Sequence, residues 1–341
     1  MKYTYLKEIG REVSRLIMGT MYLYNGSEED GFAFLDMAVS MGINIFDSAQ
    51  SYGESEIILG KWMEARQNRK DVVIITKGCH PSRIRGRVTD FDLQADICDS
   101  LAKLRTDYID IYFIHKDNES YPVGKLMEIL NTYYEAGKIK SYGVSNWNHK
   151  RIAEANAYCE AHGLHKLDFS SPNFTLADYK SEPWGPGNVS ISGPKNAEAR
   201  EWYKETQMPI FAYASLARGF FSGRITRALY EEQKNEEFNP GVLFMGQATK
   251  EQLTGHSKKI DPVCAISFCF DENFDRLERC GELAKKKGCN IAQIALAYIV
   301  NVGLNVFPII GAANSSELQS SIDCLDIVLT PEEAAWLDLR A

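Results

Sequence analysis

Residues 72–115 read VVIITKGCHPSRIRGRVTDFDLQADICDSLAKLRTDYIDIYFIH. The stretch opens on a β-branched run, VVIIT (72–76), and closes on a second apolar run, YIDIYFI (108–114). Neither alternates strictly between apolar and polar residues, so both read as strands buried on both faces. Between them Leu93, Ile97, Leu101 and Leu104 recur at helical spacing, which predicts a helix over 91–104. Strand, helix, strand implies two parallel neighbours joined by a crossover.

The same unit recurs in both directions. Short runs lie at 15–20 (RLIMGT), 43–46 (INIF), 139–145 (IKSYGVS), 167–171 (LDFSS), 209–215 (PIFAYAS) and 304–310 (LNVFPII). Helical patterns lie at 28–41, near 54–65, at 124–136 and at 149–161. Eight strands, most separated by a helix, close naturally into a (β/α)8 barrel. The expected fold is therefore an α/β TIM barrel. A β-hairpin turning at Gly10 precedes it, and a long excursion over 216–272, with helices of its own, follows the seventh strand. No low-complexity linker divides the chain, so residues 1–341 read as one barrel domain. A doubly wound sheet is the alternative architecture. Its phosphate-binding signatures are missing: there is no GxGxxG after the first strand and no GxxxxGK[ST] anywhere, and Gly185-Pro186-Gly187 is a loop turn.

The 341 residues include 38 basic and 46 acidic side chains, a formal net charge of -8. That balance argues against a generic partner for nucleic acid or anionic membrane, which would need a basic field. The N-terminal residues MKYTYLKEIGREVSRL lack the apolar core of a signal peptide, and no window reaches about 18 uninterrupted apolar residues. The eight cysteines form no CxxC pair and no zinc-ligand spacing. These features predict a cytoplasmic protein without disulfides. Nothing in the sequence specifies an oligomeric state.

Reactive groups of barrels sit at the C-terminal ends of strands. The polar residues there are Asp47 and, five residues on, Tyr52; then Lys77, His115, Ser145 with Asn146, Ser171 with Asn173, and Tyr213 with Ser215. Each has an ordinary alternative. A lysine after a strand is usually a solvated loop charge, a histidine a core residue, an aspartate a turn cap and a tyrosine packing. The coincidence raises them, because four proton-active or charged groups sit at the same end of three successive strands. A phenol has a pKa of about 10, too high for a good acid near neutrality. A nearby ammonium would lower it. A carboxylate would hold that ammonium in place, and a histidine on the next strand would orient a carbonyl oxygen. Such a set suits carbonyl reduction with hydride supplied by a cofactor. Metal-dependent hydrolysis fits poorly, since His115 alone of six histidines ends a strand and there is no HxH, so no metal site is expected. The GxSxG of a serine hydrolase is missing too.

With these residues in order, the chain resembles the aldo-keto reductases over essentially its whole length. The matching segments are GINIFDSAQSYG, VVIITK, DYIDIYFIH, GKIKSYGVSNW, PIFAYASLARG and VFPIIGAANSSELQSSIDCLDIVLTPEE. The resemblance implies an enzyme that reduces an aldehyde or ketone with NADP(H) or NAD(H). It implies Tyr52 as general acid, Lys77 and Asp47 as its tuning pair, and His115 as the group orienting the carbonyl. Ser145 and Asn146 would hold the nicotinamide carboxamide, and Tyr213 would stack on the ring. Ser215, Leu216, Arg218 and Gly219 would wrap the diphosphate. Gly311, Ala313, Asn314 and Glu317 would hold the adenosine end. Two alternatives on the same barrel are a cofactor-binding regulatory subunit and a nicotinamide-using epimerase or lyase.

Two positions depart from the family pattern. The strand-six glutamine is Ser171 here, so either Asn173 substitutes or Ser171 bonds through its own hydroxyl. Where NADPH-preferring members place an arginine after the last strand, this chain has Ala313, Asn314 and Glu317. A carboxylate repels a 2′-phosphate and accepts from a ribose hydroxyl, so NADH is expected to serve at least as well. Composition bears on the ligands independently. Residues 206–230 contain no acid but include Arg218, Arg224 and Arg227, a natural seat for a diphosphate. Residues 72–89 also lack acids and carry Arg83, Arg85 and Arg87, which would suit sugar acids or phosphates unless they are a solvated loop. Met21, Tyr22, Trp147 and side chains from 79–88 and 177–200 are the candidate substrate pocket. The segment around Trp184 reads as a lid or a surface connection.

Overall fold

The computed structural model describes residues 1–23, 26–82, 84–234 and 259–340. Strands β1 (Tyr3–Leu6) and β2 (Arg11–Ser14) form the antiparallel hairpin, with Gly10 in the turn at φ +64°. The barrel strands are β3 (Ile17–Gly19), β4 (Ile45–Asp47), β5 (Val73–Gly78), β6 (Ile109–Ile114), β7 (Ile139–Ser145), β8 (Phe169–Ser171), β9 (Ile210–Ala212) and β10 (Val306–Ile310). They close in the order β10-β3-β4-β5-β6-β7-β8-β9, as the (β/α)8 reading predicts.

Compact packing divides the chain into two units. The first comprises Met1–Pro172 and Met208–Phe211. Its helices are α1 (Glu28–Ser40), α2 (Ser55–Arg66), α3 (Asp90–Lys103), α4 (Val123–Glu135) and α5 (His149–His162). Strands β5 and β6 are buried along their whole length, which explains their unbroken apolar runs. Asp110, the one acid in β6, accepts from the Ile74 amide at 2.9 Å and pairs with Arg69 at 2.8 Å. Helix α3 starts where Thr89 caps the Asp92 amide, and it buries Leu93 and Ile97.

The second unit comprises Asn173–Gln207 and Ala212–Ala341. It carries α6 (Ala197–Thr206), α7 (Arg227–Gln233), α8 (Pro262–Phe268), α9 (Asp271–Lys287), α10 (Ile291–Asn301), α11 (Ser315–Asp323) and α12 (Pro331–Leu337). Helices α7 and α8 are those expected within 216–272; positions 235–258 of that excursion lie outside the described residues. The run PIFAYAS predicts a strand to 215, but β9 stops at Ala212. Ala214 takes φ +52°, a left-handed turn that no strand continues through.

Candidate active site

Parallel register sets the position of the reactive groups. Asp47, the last residue of β4, stands level with Ile75 of β5. Lys77 lies two residues beyond Ile75 and so projects from the same face. Lys77 in turn stands level with Phe113 of β6, and His115 lies two residues past it. Each strand thus carries its group one step further along the same inner face. Tyr52 arrives from the turn after β4, where its amide donates to Ala49 O at 3.0 Å.

These four residues meet. Lys77 Nζ donates to Asp47 Oδ1 at 2.6 Å and to Ser48 O at 2.9 Å. The same Nζ lies 5.1 Å from the centroid of the Tyr52 ring. Tyr52 and His115 meet edge to face, with centroids 5.8 Å apart and planes at 77°. Asp47, Lys77 and His115 are all buried.

Burial pushes the Tyr52 phenol well above its ordinary pKa, and Asp47 and Tyr22 push it further. This corrects the expectation that Lys77 lowers it. The ammonium is already matched by a carboxylate 2.6 Å away, so little of its field is left for the phenol. Burial likewise raises Asp47 and lowers Lys77, and each is opposed by its partner's charge. Burial, then Lys77, His80 and Lys116, hold His115 well below the usual imidazole range. The site is therefore a protonated phenol beside a neutral imidazole, which can donate a proton and orient an oxygen.

The expected carboxamide donors also cluster. Ser145 stands level with Ser171 across β7 and β8. Ser145 Oγ donates to Ser171 O at 2.9 Å, and Asn146 Nδ2 donates to His115 O at 3.1 Å. Asn146 sits at φ +60°, which turns the chain sharply after β7. Two buried polar atoms here have no partner among the described residues, Ser171 Oγ and His115 Nδ1. Orphans of this kind are what a polar ligand would satisfy, so the residues present fit a nicotinamide carboxamide and a carbonyl oxygen.

In the second unit, the Asn173 side chain is held by two hydrogen bonds. Its Nδ2 donates to Tyr213 O at 3.1 Å, and its Oδ1 accepts from Ser190 Oγ at 2.9 Å. Trp184 meets Tyr213 edge to face at 5.1 Å. Ser215 Oγ donates to Ala212 O at 3.0 Å and to Ile309 O at 3.2 Å. From there Ala217, Arg218 and Gly219 all take positive φ, at 50°, 54° and 85°, and the loop closes on itself: the Ala217 amide donates to Ala214 O at 2.8 Å and the Gly219 amide to Leu216 O at 3.0 Å. Two of the arginines expected to attract a diphosphate are already paired: Arg218 with Asp261 at 2.8 Å, and Arg227 with Asp271, Asp275 and Glu278. Arg224 makes no ion pair among the described residues. After β10, Gly311 is exposed and Asn314 caps α11 by accepting from the Glu317 amide at 3.0 Å. Glu317 Oε2 accepts from the Ala313 amide at 2.8 Å.

The substrate-side residues divide. Met21 is half-buried, and Tyr22 is exposed yet close enough to Tyr52 to act on its phenol. Trp147 is fully buried, its indole donating to Lys116 O at 3.2 Å, so it offers a substrate no surface. Arg85 grips Asp92 through two 2.7 Å hydrogen bonds, and Arg87 pairs with Asp92 and Asp96. Both are therefore neutralised; Arg83 lies outside the described residues. His80, named in the sequence only as part of 79–88, lies with its ring 4.9 Å from that of His115. No disulfide forms, and all eight cysteines are free. No described helix is long and apolar enough to cross a membrane.

A closed parallel barrel with a phenol, an ion pair and an imidazole at its strand ends defines the class: a barrel oxidoreductase. The chain belongs to the aldo-keto reductases, for the family model described as Aldo/keto reductase family matches residues 15–339. It is similar to a probable aryl-alcohol dehydrogenase of Saccharomyces cerevisiae, 29% identical over 94% of this chain and 89% of the other. It is also similar to norsolorinic acid reductase B of Dothistroma septosporum, 27% identical over 92% and 72% of the two chains. A crystallised thermostable aldo-keto reductase in complex with the inhibitor epalrestat superposes with a TM-score of 0.70 and 21% identity over 100% of both chains, a likeness of fold.

Proposed function

We propose that this protein reduces an aldehyde or ketone to an alcohol with Tyr52 as the general acid. The observation that carries this is the Lys77–Asp47 pair beneath Tyr52 with His115 beside it. The nicotinamide, when bound, supplies the hydride. His115 orients the carbonyl oxygen through a ring nitrogen, and the Tyr52 hydroxyl delivers its proton to the oxygen as it becomes an alkoxide. Asp47 keeps Lys77 charged and fixed against the Tyr52 ring, which holds the phenol in place beside His115. Ser145, Asn146 and the Ser171 hydroxyl receive the carboxamide; Tyr213 stacks on the ring. Ser215, Leu216, Arg218 and Gly219 receive the diphosphate, and Gly311, Ala313, Asn314 and Glu317 the adenosine end.

Aromatic carbonyls are the first substrates to try, because the similar proteins are named for aryl alcohols and norsolorinic acid. The pairing of Arg85 and Arg87 weakens the case for sugar acids. Glu317, at the start of α11, favours a 2′-hydroxyl over a 2′-phosphate, so NADH is bound at least as well as NADPH. Titrating cofactor fluorescence tests that point; a preference for NADPH above about tenfold, some 1.4 kcal/mol, contradicts it. The reaction itself is tested with a panel of aromatic and aliphatic aldehydes, following nicotinamide absorbance. Consumption of cofactor that needs the Tyr52 hydroxyl supports the reading. Tight cofactor binding without consumption points instead to a regulatory subunit, and product without net consumption to an epimerase or lyase.

A further inference from the structure

The turn after β5 delivers a second imidazole to the site, and its construction is specific. Gly78 packs so closely that a Cβ there would lie 2.0 Å from Tyr112 Oη and 2.7 Å from Asp96 Cβ. Cys79 then takes φ +63°, a left-handed conformation that an ordinary side chain rarely adopts. Its amide is tethered by the buried Asp96 Oδ2 at 2.7 Å, and Asp96 Oδ1 accepts from Arg87 at 2.6 Å. Strain held in this way needs support from its surroundings, and strained residues cluster at functional sites. Here the strained residue turns the chain so that the next side chain, His80, meets His115.

The His80 and His115 rings stand at 71° with centroids 4.9 Å apart. On His115 this adds to the Tyr52 contact at 5.8 Å and 77°. His115 is thus gripped by two rings, while its own Nδ1 has no partner among the described residues to fix the ring's orientation. His80 is itself fixed, because its Nδ1 lies 3.0 Å from Pro81 O and a carbonyl only accepts, so that nitrogen carries the proton. We propose that His80 is a positioning residue: it clamps the His115 ring against Tyr52 and so decides which His115 nitrogen meets the substrate oxygen. The clamp rests on the carbonyl-reduction reading above, but its geometry exists without turnover. Lys77, Lys116 and the protonated form of His80 all disfavour a charged His115, and Asp96 and Asp92 sit behind Arg87, so the clamped ring is the neutral one.

The test pairs structure with rate. Nuclear Overhauser contacts from the His115 ring protons to the Tyr52 ring, in the full chain, report the orientation of the His115 ring directly. Wild type shows one orientation, and His80→Ala shows averaging between two, with the remaining amide spectrum retained. With a reducible aldehyde, His80→Ala lowers kcat by about tenfold or more, in line with a slightly misplaced catalytic group. His80→Phe, which keeps a ring at the same place, restores a single orientation and kcat to within about threefold. An unchanged orientation in His80→Ala overturns the clamp, as does a His80→Phe as impaired as His80→Ala. If no carbonyl is reduced by wild type, the functional reading fails while the spectra still judge the clamp.

Discussion

At the residue scale, the Lys77–Asp47 pair concentrates the constraints. Two charges are buried 2.6 Å apart, and each is tolerable only because of the other. Lys77→Met should therefore cost about 3–5 kcal/mol in urea unfolding, unless Asp47 takes up a proton and relieves part of it. Adding Asp47→Asn should return part of that loss, so the double variant is more stable than the sum of the singles implies. Tyr52 yields a pH prediction. Its phenol is held above its ordinary value by burial and by Asp47, so it keeps its proton across the neutral and mildly alkaline range. The kcat/KM for reduction should then stay level on the alkaline side to about pH 9; a fall centred near pH 7 would assign the proton donor elsewhere. Asp47, Tyr52, Lys77 and His115 were legible because each ends or closely follows an apolar run. Trp147 misled for the same reason. It follows a strand end, but the left-handed turn at Asn146 leads it inward, where Arg151 covers its ring at 5.4 Å.

At the scale of elements, the turn from β5 to α3 is held by acids on α3. The Arg85 guanidinium and the Thr89 hydroxyl hold the Asp92 carboxyl down at about 2. The folded value lies below the unfolded one of about 3.9, so ionised Asp92 stabilises the fold above about pH 4, and the contribution is lost as pH falls towards 2. Its size is about 1–2 kcal/mol after allowing for water around the exposed Arg85. The gap in Tm between wild type and Asp92→Asn should accordingly close between pH 5 and pH 2. A second element-level test is Gly143 in β7, where a Cβ would lie 2.3 Å from Phe169 O and 2.6 Å from the Phe113 ring. Gly143→Ala should destabilise by at least about 1–3 kcal/mol, since backbone cannot move aside as a side chain can. The basic look of residues 72–89 was illegible as structure because the acids that neutralise it lie just beyond the window, at 92 and 96. Arg218 is the same case at longer range, its partner being Asp261.

For the molecule as a whole, the eight strands and the order of their reactive ends were readable from the chain, because burial on both faces writes unbroken apolar runs. The turns between them were not. Ala214 and Cys79 take left-handed backbone though neither residue type favours it, whereas Asn146 is of a type that visits that region. Those turns aim the side chains that matter, among them His80. A net charge of -8 likewise proved a poor guide to ligands, since the arginines that stood out locally, Arg218 and Arg227, are matched by acids distant in sequence. In the proposed reaction Tyr52 hands a proton to a carbonyl oxygen while contributing little to holding the cofactor. The most direct measurement is single-turnover oxidation of bound NADH or NADPH by an aldehyde, in wild type and in Tyr52→Phe, with the cofactor Kd measured alongside. The rate should fall by about a hundredfold or more in Tyr52→Phe with Kd within about threefold; an equal rate in both proteins would rule Tyr52 out as the proton donor.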